Sequence, residues 1–439
     1  MNDIDKLKQQ HITILGLGVT GLGIVRFLVR HGITPKIVDT RAVPPGAEWL
    51  AHNVPECEAV FGPLAEAALT KTDVIIISPG IPLYDRYVAQ AIAGGTEVIG
   101  DVELFARLNH TPVVAVTGSN GKSTVVSLVT EVCIEAGLKV GLGGNIGTSA
   151  LDLLDQDLDL IVLELSSFQL ETTQSLKCTS AMILNITEDH MDRYPDFDAY
   201  CAAKKRIFQQ TDLLVFNCDD ERTYQAHERS LSVGLKNADY CIKNFPEGAY
   251  FCAMDEAFLP VNCLSIPGKH NQFNALSVMA LLSPFEISKQ AFEQGFARFS
   301  GLAHRCQLIA DVNGIKYFND SKATNVGATV AALESLADDS GKIVLILGGD
   351  AKGAEISPLV APLKKYCRSI LCFGKDADLF VPLHDNSVKV STLQEAVLEA
   401  KKQAIAGDIV LLAPACASTD MYPNYMIRGD EFTKLVGEL

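Results

Sequence analysis

The segment Pro112-Val113-Val114-Ala115-Val116-Thr117-Gly118-Ser119-Asn120-Gly121-Lys122-Ser123-Thr124 runs from a β-branched strand into a glycine-rich turn and on into a helix rich in Val and Leu. Such a turn lets successive backbone N–H groups wrap phosphate oxygens at a helix N-terminus, where the helix dipole also favours an anion. Lys122 would then reach the terminal phosphates, and Ser123 would be placed to ligate Mg²⁺. The match to G-x-x-x-x-G-K-[ST] is incomplete, because Val116 stands where the first glycine belongs. A plain Gly-Lys turn is the alternative, but strand, Gly-Lys-Ser and helix in succession favour an ATP site.

Outward from this segment the same alternation of apolar strand, polar turn and helical period recurs. It is found at 12–15, 37–39, 74–78, 160–163, 182–185, 213–216, 343–347, 370–373 and 409–412. This order predicts an α/β fold with parallel sheets flanked by helices. Strand–turn–helix starts near Gly16, Gly118 and Gly348 divide the 439 residues into three expected units, 1–99, 100–301 and 302–439. The stretch 237–264 is poorer in these signals and is expected to hold short antiparallel strands.

Composition narrows the function classes. With 48% hydrophobic and 21% charged residues the chain can bury real cores. Its longest apolar stretches fall far short of the roughly 20 residues that span a bilayer, so no membrane partner is expected. MNDIDKLKQQ at the N-terminus has none of the marks of a secretory signal, which makes the cytoplasm the expected compartment. Lys and Arg number 37 against 53 Asp and Glu, and a net charge of −16 without a basic patch argues against nucleic acid. Twelve cysteines without a C-x-x-C pair read as small core residues rather than a zinc site or disulfide framework.

Several further turns carry chemistry. Gly16-Leu17-Gly18-Val19-Thr20-Gly21 follows a strand, with Asp39 downstream as a ribose-binding carboxylate. That pattern fits NAD, another nucleotide diphosphate, or a tight turn without phosphate. Two phosphate-binding signals in consecutive units are awkward for a simple dehydrogenase and natural for an enzyme that takes ATP and a nucleotide-linked substrate. Glu164 ends an apolar strand where hard-cation ligands gather beside a phosphate loop. Glu188, Asp189, His190 and Asp192 could hold a second Mg²⁺ or orient water, or simply form a charged loop. The run 200–206, in a helix expected over 198–210, reads as a basic outer face. Lys122, Arg305, Lys322 and Lys352 all lie in Gly- or Ser-rich turns of an acidic chain, which points to anion binding.

Together these segments resemble the Mur ligase family over essentially the whole chain, and the shortened glycine spacing at 117–123 is that family's habit. Gly16 to Gly21, Asp39-Thr40-Arg41, Ser78-Pro79-Gly80, Glu164 to Glu171, His190 to Pro195, Asn319 to Asn325 and Pro414 to Ser418 are similar to the D-glutamate-adding branch. The Asp-Asn-Pro-Arg signature of the diaminopimelate-adding branch is absent. The resemblance implies a Rossmann-like N-terminal domain for a UDP moiety, a central P-loop ATPase domain, and a C-terminal Rossmann-like domain for the incoming amino acid. It also implies a small-molecule pair, UDP-N-acetylmuramoyl-L-alanine and D-glutamate, joined at the expense of ATP through an acyl phosphate and a tetrahedral intermediate. A monomer is expected.

Residue by residue, the resemblance implies that Gly18, Val19, Thr20, Asp39, Thr40, Arg41, Gly80 and Asn145 border the UDP-linked substrate. Gly118, Asn120, Gly121, Lys122, Ser123, Thr124, Asn274, Arg305 and Asp320 would contact ATP. Lys322, Thr324, Lys352, Ser418 and Tyr425 would receive D-glutamate, although relatives carry Phe where this chain has Tyr425. Ser123, Glu164, His190 and Lys204 would serve a pair of Mg²⁺ ions, Lys204 as a carbamate. Lys122, Glu164, His190 and Lys204 form the implied catalytic set.

Overall fold

A computed structural model describes residues 3–65, 69, 71–337 and 341–439. Among these residues the strands gather into three main sheets and one two-stranded ribbon. β1 (Ile12–Leu15), β2 (Lys36–Asp39), β3 (Ala59–Phe61), β4 (Val74–Ile77) and β5 (Glu97–Ile99) form a parallel sheet in the order β3-β2-β1-β4-β5. β1 and β4 are buried along their whole length and read in the sequence as apolar runs, broken only by Thr13 in β1. β3 is exposed throughout, and its apolar run of three residues, Ala59–Phe61, is too short to mark a strand by patterning.

The largest sheet holds β6 (Val113–Thr117), β7 (Val140–Gly144), β8 (Leu160–Glu164) and, past the short β9 (Lys177–Cys178), β10 (Ser180–Ile183). β11 (Gln210–Thr211) pairs with β9 as the ribbon. β12 (Leu214–Asn217), β13 (Ser230–Val233), β14 (Tyr240–Phe245), β15 (Gly248–Ala253) and β16 (Glu256–Pro260) complete the order β16-β15-β14-β13-β12-β10-β6-β8-β7. The expected antiparallel strands of 237–264 are β14 to β16. A third sheet, β17 (Gln307–Val312), β18 (Ile315–Asn319), β19 (Ile343–Gly348), β20 (Cys367–Phe373), β21 (Ser387–Lys389) and β22 (Ile409–Leu412), runs β17-β18-β22-β19-β20-β21. Its β17–β18 hairpin is antiparallel, which the half-exposed Gln307–Val312, without regular alternation of apolar and polar residues, gave no reason to expect.

Lys204 is not on an outer face: the helix Phe197–Lys205 buries Tyr200, Ala203 and Lys204, and Lys204 is 2% exposed. Residues three and four apart share a helix face, so the inward stripe of Tyr200, Ala203 and Ile207 carries Lys204 with it. The helix also ends at Lys205, and Arg206–Phe208 tightens into a 3₁₀ turn. Seven of the twelve cysteines are buried, in keeping with a core role. Among the described residues no helix is long and apolar enough to cross a membrane.

The helix Lys122–Glu135, which continues the phosphate loop, buries Val125, Val126, Leu128, Val129, Val132 and Cys133. Gly295, in the helix Lys289–Arg298, lets that second helix approach it: a Cβ at 295 would stand 2.9 Å from Val132 Cα and 3.0 Å from its N. Alanine is the better helix former by about 1 kcal/mol, yet backbone atoms cannot step aside. Gly295→Ala is therefore expected to destabilise by about 1–3 kcal/mol in denaturant unfolding. Unchanged or raised stability would show that the helix pair opens freely.

Candidate active site

The phosphate loop starts the site. Gly121 caps the helix Lys122–Glu135 at a φ of 85°, a left-handed conformation in which a side chain would strain. Lys122 Nζ bends back over the loop, donating to Gly118 O at 2.7 Å and Ser119 O at 3.0 Å. Lys204 Nζ arrives from the far helix and donates to the same Gly118 O at 3.0 Å, lying 4.6 Å from the Tyr200 ring centroid. Tyr200 Oη meets Ser119 Oγ at 3.1 Å, which fixes that approach. Burial pushes both amines below the ordinary lysine range, Lys204 strongly, and the Lys122 charge pushes Lys204 further.

Glu164 closes β8 opposite the loop. Ser123 Oγ donates to one of its carboxylate oxygens and Asn145 Nδ2 to the other at 2.8 Å. Burial raises the Glu164 carboxyl, but Lys122, Asn145 and Ser123 outweigh it and hold the group below the usual range. Arg305 Nη2 donates to Ser123 Oγ at 2.6 Å, carrying the residues after the central unit onto the phosphate loop. Ser123 and Glu164 thus present two hard oxygen donors side by side. Among the described residues no group of three His, Cys, Asp or Glu is arranged to hold a metal.

Asp189 sits at the other wall. Asn325 Nδ2 donates to it at 3.3 Å, Lys352 Nζ lies 3.7 Å away and His190 Nε2 3.7 Å away. Despite burial, the neighbouring His190, Lys352 and Lys122 and the Asn325 amide together hold the Asp189 carboxyl low. His190 itself has a φ of 58°, left-handed for a non-glycine residue, and its ring stands edge-on to Phe168 at 4.8 Å. Burial lowers the His190 imidazole, against the pull of Asp189, and so favours its neutral form. Lys322 lies 4.4 Å from the Tyr425 ring centroid, and burial, helped by Arg305, pushes it down to about 8.

These groups surround a cavity of about 1000 Å³ between the central and third sheets. Asn120, Gly121, Lys122, Ser123, Thr124, Asn145, Glu164, His190, Lys204, Asn274, Arg305, Asp320, Lys322 and Thr324 line it, with Gly80 at the edge of the first unit. Lys352 and Tyr425 join through Asp189 and Lys322. Ser418 is buried away from the lining, its carbonyl accepting from Met421 and Tyr422. Gly18, Val19, Thr20, Asp39, Thr40 and Arg41 stand apart at the carboxyl ends of β1 and β2. There Asp39 accepts Leu17 N at 2.6 Å and both Nε and Nη2 of Arg41 at 2.9 and 2.6 Å.

The family descriptions match along the chain: Mur ligase MurD-like, N-terminal domain, over 10–100; Mur ligase middle domain over 116–282; and Mur ligase, glutamate ligase domain, over 304–416. The chain belongs to the Mur ligase family. It is 53% identical over 99% of both chains to the UDP-N-acetylmuramoylalanine--D-glutamate ligase of Pseudoalteromonas translucida. It is 47% identical to the protein of the same name from Shewanella oneidensis, over 97% of this chain and 98% of that one. In fold it is similar to UDP-N-acetylmuramate-alanine ligase from Thermotoga maritima, with a TM-score of 0.61 at 18% identity over 98% and 99% of the two chains. It is also similar to a bifunctional folylpolyglutamate synthase/dihydrofolate synthase from Yersinia pestis, with a TM-score of 0.58 at 18% identity over 76% and 93%.

Two contacts in this Mur ligase were invisible in the motifs. Asn325 exchanges amide hydrogen bonds with Asn120 at 3.2 and 3.3 Å while its Oδ1 caps the helix Val326–Leu336 through Ala328 N. Asp320 accepts Cys306 N at 3.2 Å and the Cys306 thiol at 3.5 Å. Burial pushes the Asp320 carboxyl up to about 6. A carboxyl that binds its proton more tightly in the native chain favours folding at low pH and loses that contribution as pH rises through its raised pKa. Asp320→Asn keeps an acceptor for Cys306 N without the buried charge. It should unfold at a higher temperature than the parent above pH 6, with the gap closing towards pH 4. A parent more stable than the variant at pH 7.5 would contradict the buried-charge cost.

Proposed function

We propose that this Mur ligase joins D-glutamate to UDP-N-acetylmuramoyl-L-alanine, forming an amide bond and ADP in peptidoglycan precursor synthesis. The observation that carries this reading is the meeting of the Lys122 and Lys204 side chains on one carbonyl, opposite Glu164 and Ser123. Buried positive charge of this kind calls for a strongly anionic occupant, and a triphosphate beside a substrate carboxylate supplies it. The names of the relatives, at 42–53% identity over nearly the whole chain, support the choice of substrates.

On this reading residues 1–99 take the UDP-linked substrate through Gly18, Val19, Thr20, Asp39, Thr40, Arg41 and Gly80, with Asn145 at the junction. Residues 100–301 take ATP on Gly118, Asn120 to Thr124 and Asn274, with Arg305 and Asp320 closing from beyond. Residues 302–439 take D-glutamate through Lys322, Thr324, Lys352, Ser418 and Tyr425. The protein works as a cytoplasmic monomer.

Ser123 and Glu164 suit Mg²⁺, which is usually held by one or two carboxylates together with substrate phosphates rather than by an all-protein cage. His190 stands nearby as a further ligand. When bound, the cation offsets the charge of the transferring phosphoryl group. Lys204 fits a carbamate for a reason of its own: burial favours its unprotonated amine, which can add CO₂ and lose a proton, placing an anion rather than a second cation beside Lys122. That carbamate would then serve the metal.

Lys122 and Arg305 neutralise the γ-phosphoryl oxygens while the alanyl carboxylate attacks phosphorus and ADP leaves. The acyl phosphate then meets the D-glutamate amine, and the tetrahedral intermediate expels inorganic phosphate. The proton that the amine must shed goes to His190, whose neutral form burial favours against the pull of Asp189, when its ring is not on the cation, and otherwise to a nearby carboxylate.

ADP release should require Mg²⁺, UDP-N-acetylmuramoyl-L-alanine and D-glutamate together, with L-glutamate, L-alanine and L-lysine inactive as replacements. Turnover with another of these amino acids and not with D-glutamate would overturn the substrate assignment. Lys122→Ala should lose about a hundredfold or more in kcat with folding intact. Retained turnover would remove Lys122 from the phosphate site. Lys204→Ala should lose activity that acetate partly restores, whereas Lys204→Arg should stay inactive; a fully active Arg variant would refute the carbamate.

A further inference from the structure

Arg193 lies in the turn after His190, with its side chain only 10% exposed, and it takes no part in the chemistry described above. Its two terminal nitrogens each serve two acceptors. Nη1 donates to the carbonyls of Pro79 at 3.3 Å and Gly80 at 3.4 Å. Nη2 donates to the carbonyl of Ile81 at 3.3 Å and to Glu171 Oε2 at 3.0 Å. The three carbonyls belong to the first unit and the carboxylate to the central one. The carbonyl contacts are long for N–H···O bonds, so their value is directional: a planar fork fits three successive carbonyls that a point charge does not.

Those carbonyls lie just past β4, beside β1, where the order of the first sheet reverses. In an open parallel sheet this crevice is where the ligand binds. The turn is stiff: Ile81 N donates to Ser78 O at 3.0 Å, and Ser78 Oγ donates to Gly16 O at 2.9 Å, tying it to the glycine turn of β1. On its other side the guanidinium rests 4.6 Å from the Phe168 ring centroid, and the same ring carries His190 at its edge. A short chain of contacts therefore runs from the Gly16 turn through residues 78–81 and Arg193 to Phe168 and His190.

We propose that Arg193 is a positioning residue for the nucleotide-linked substrate. It holds the 79–81 turn in register with His190, so that a substrate gripped by the first unit delivers its carboxylate to the phosphate loop of the second. The inference rests on the substrate assignment above and assigns Arg193 no contact with the reacting atoms.

The test compares Arg193→Lys, Arg193→Met and Glu171→Gln with the parent, by steady-state kinetics in each substrate and by calorimetric binding of UDP-N-acetylmuramoyl-L-alanine. Both Arg193 variants should raise KM for that substrate about tenfold or more, with KM for ATP and D-glutamate within about twofold of the parent. Arg193→Lys should be as impaired as Arg193→Met, because the fork and not the charge is lost. Glu171→Gln, which leaves the carbonyl contacts, should show a smaller rise in the same constant. Unchanged KM for the UDP-linked substrate overturns the proposal. So does a rise in all three constants together with a lowered melting temperature, the mark of a general structural role. Calorimetry separates the two readings: if the parent binds the UDP-linked compound without turning it over, the ligase assignment fails while the loss of binding still decides for or against Arg193.

Discussion

Two lysine side chains converge on the carbonyl oxygen of Gly118, one from the phosphate loop and one from a helix more than eighty residues on. Bringing two ammonium groups out of water towards one another is unfavourable unless an anion joins them or one of them ceases to be a cation. Much of the surrounding architecture follows from that constraint. Tyr200 and Ser119 hold Lys204 in place, Glu164 and Asp189 supply countercharge from opposite walls, and Arg305 brings a third cation from beyond the central unit. The stability such a site gives up is recovered in the transition state, where the charge it was built for develops.

The three sheets serve this centre from different sides. The central one presents the ends of β6, β8 and β10, and with them the phosphate loop, Glu164 and the turn that leads to Asp189 and His190. From the third, Asp320 follows β18 and Asn325 caps the next helix, so its contact with the phosphate loop runs through the Asn120–Asn325 amide pair and the bond from Arg305 to Ser123. The first sheet reaches the same place through the 78–81 turn. Each of these bridges is polar and few in atoms, as expected where units must separate to admit substrates.

Much of this was legible in the sequence. Buried central strands announce themselves as apolar runs, and the glycine turns at Gly16, Gly118 and Gly348 follow directly from them. Edge strands such as β3 and β17 have a weaker signal, because β3 is three residues long and β17 is half-exposed without regular alternation. Within the site, residues at or beyond the carboxyl ends of strands stand out by position: Lys122, Glu164, His190 and Lys322. Lys204 misled because a run of basic residues dominates the local pattern, although the spacing of Tyr200, Ala203 and Ile207 already defines an inward face. The pairings Asn120–Asn325 and Arg193 with 79–81 span more than a hundred residues, and no spacing rule in a single chain encodes contacts of that range.

The central claim is that the substrate acid, not water, attacks the triphosphate. It is tested most directly by labelling both oxygens of the alanyl carboxylate of UDP-N-acetylmuramoyl-L-alanine with ¹⁸O and analysing the inorganic phosphate released during D-glutamate-dependent turnover. Passage through an acyl phosphate transfers one labelled oxygen to each phosphate formed. Unlabelled phosphate, with the oxygen displaced from the carboxyl carbon found in water instead, would contradict the account.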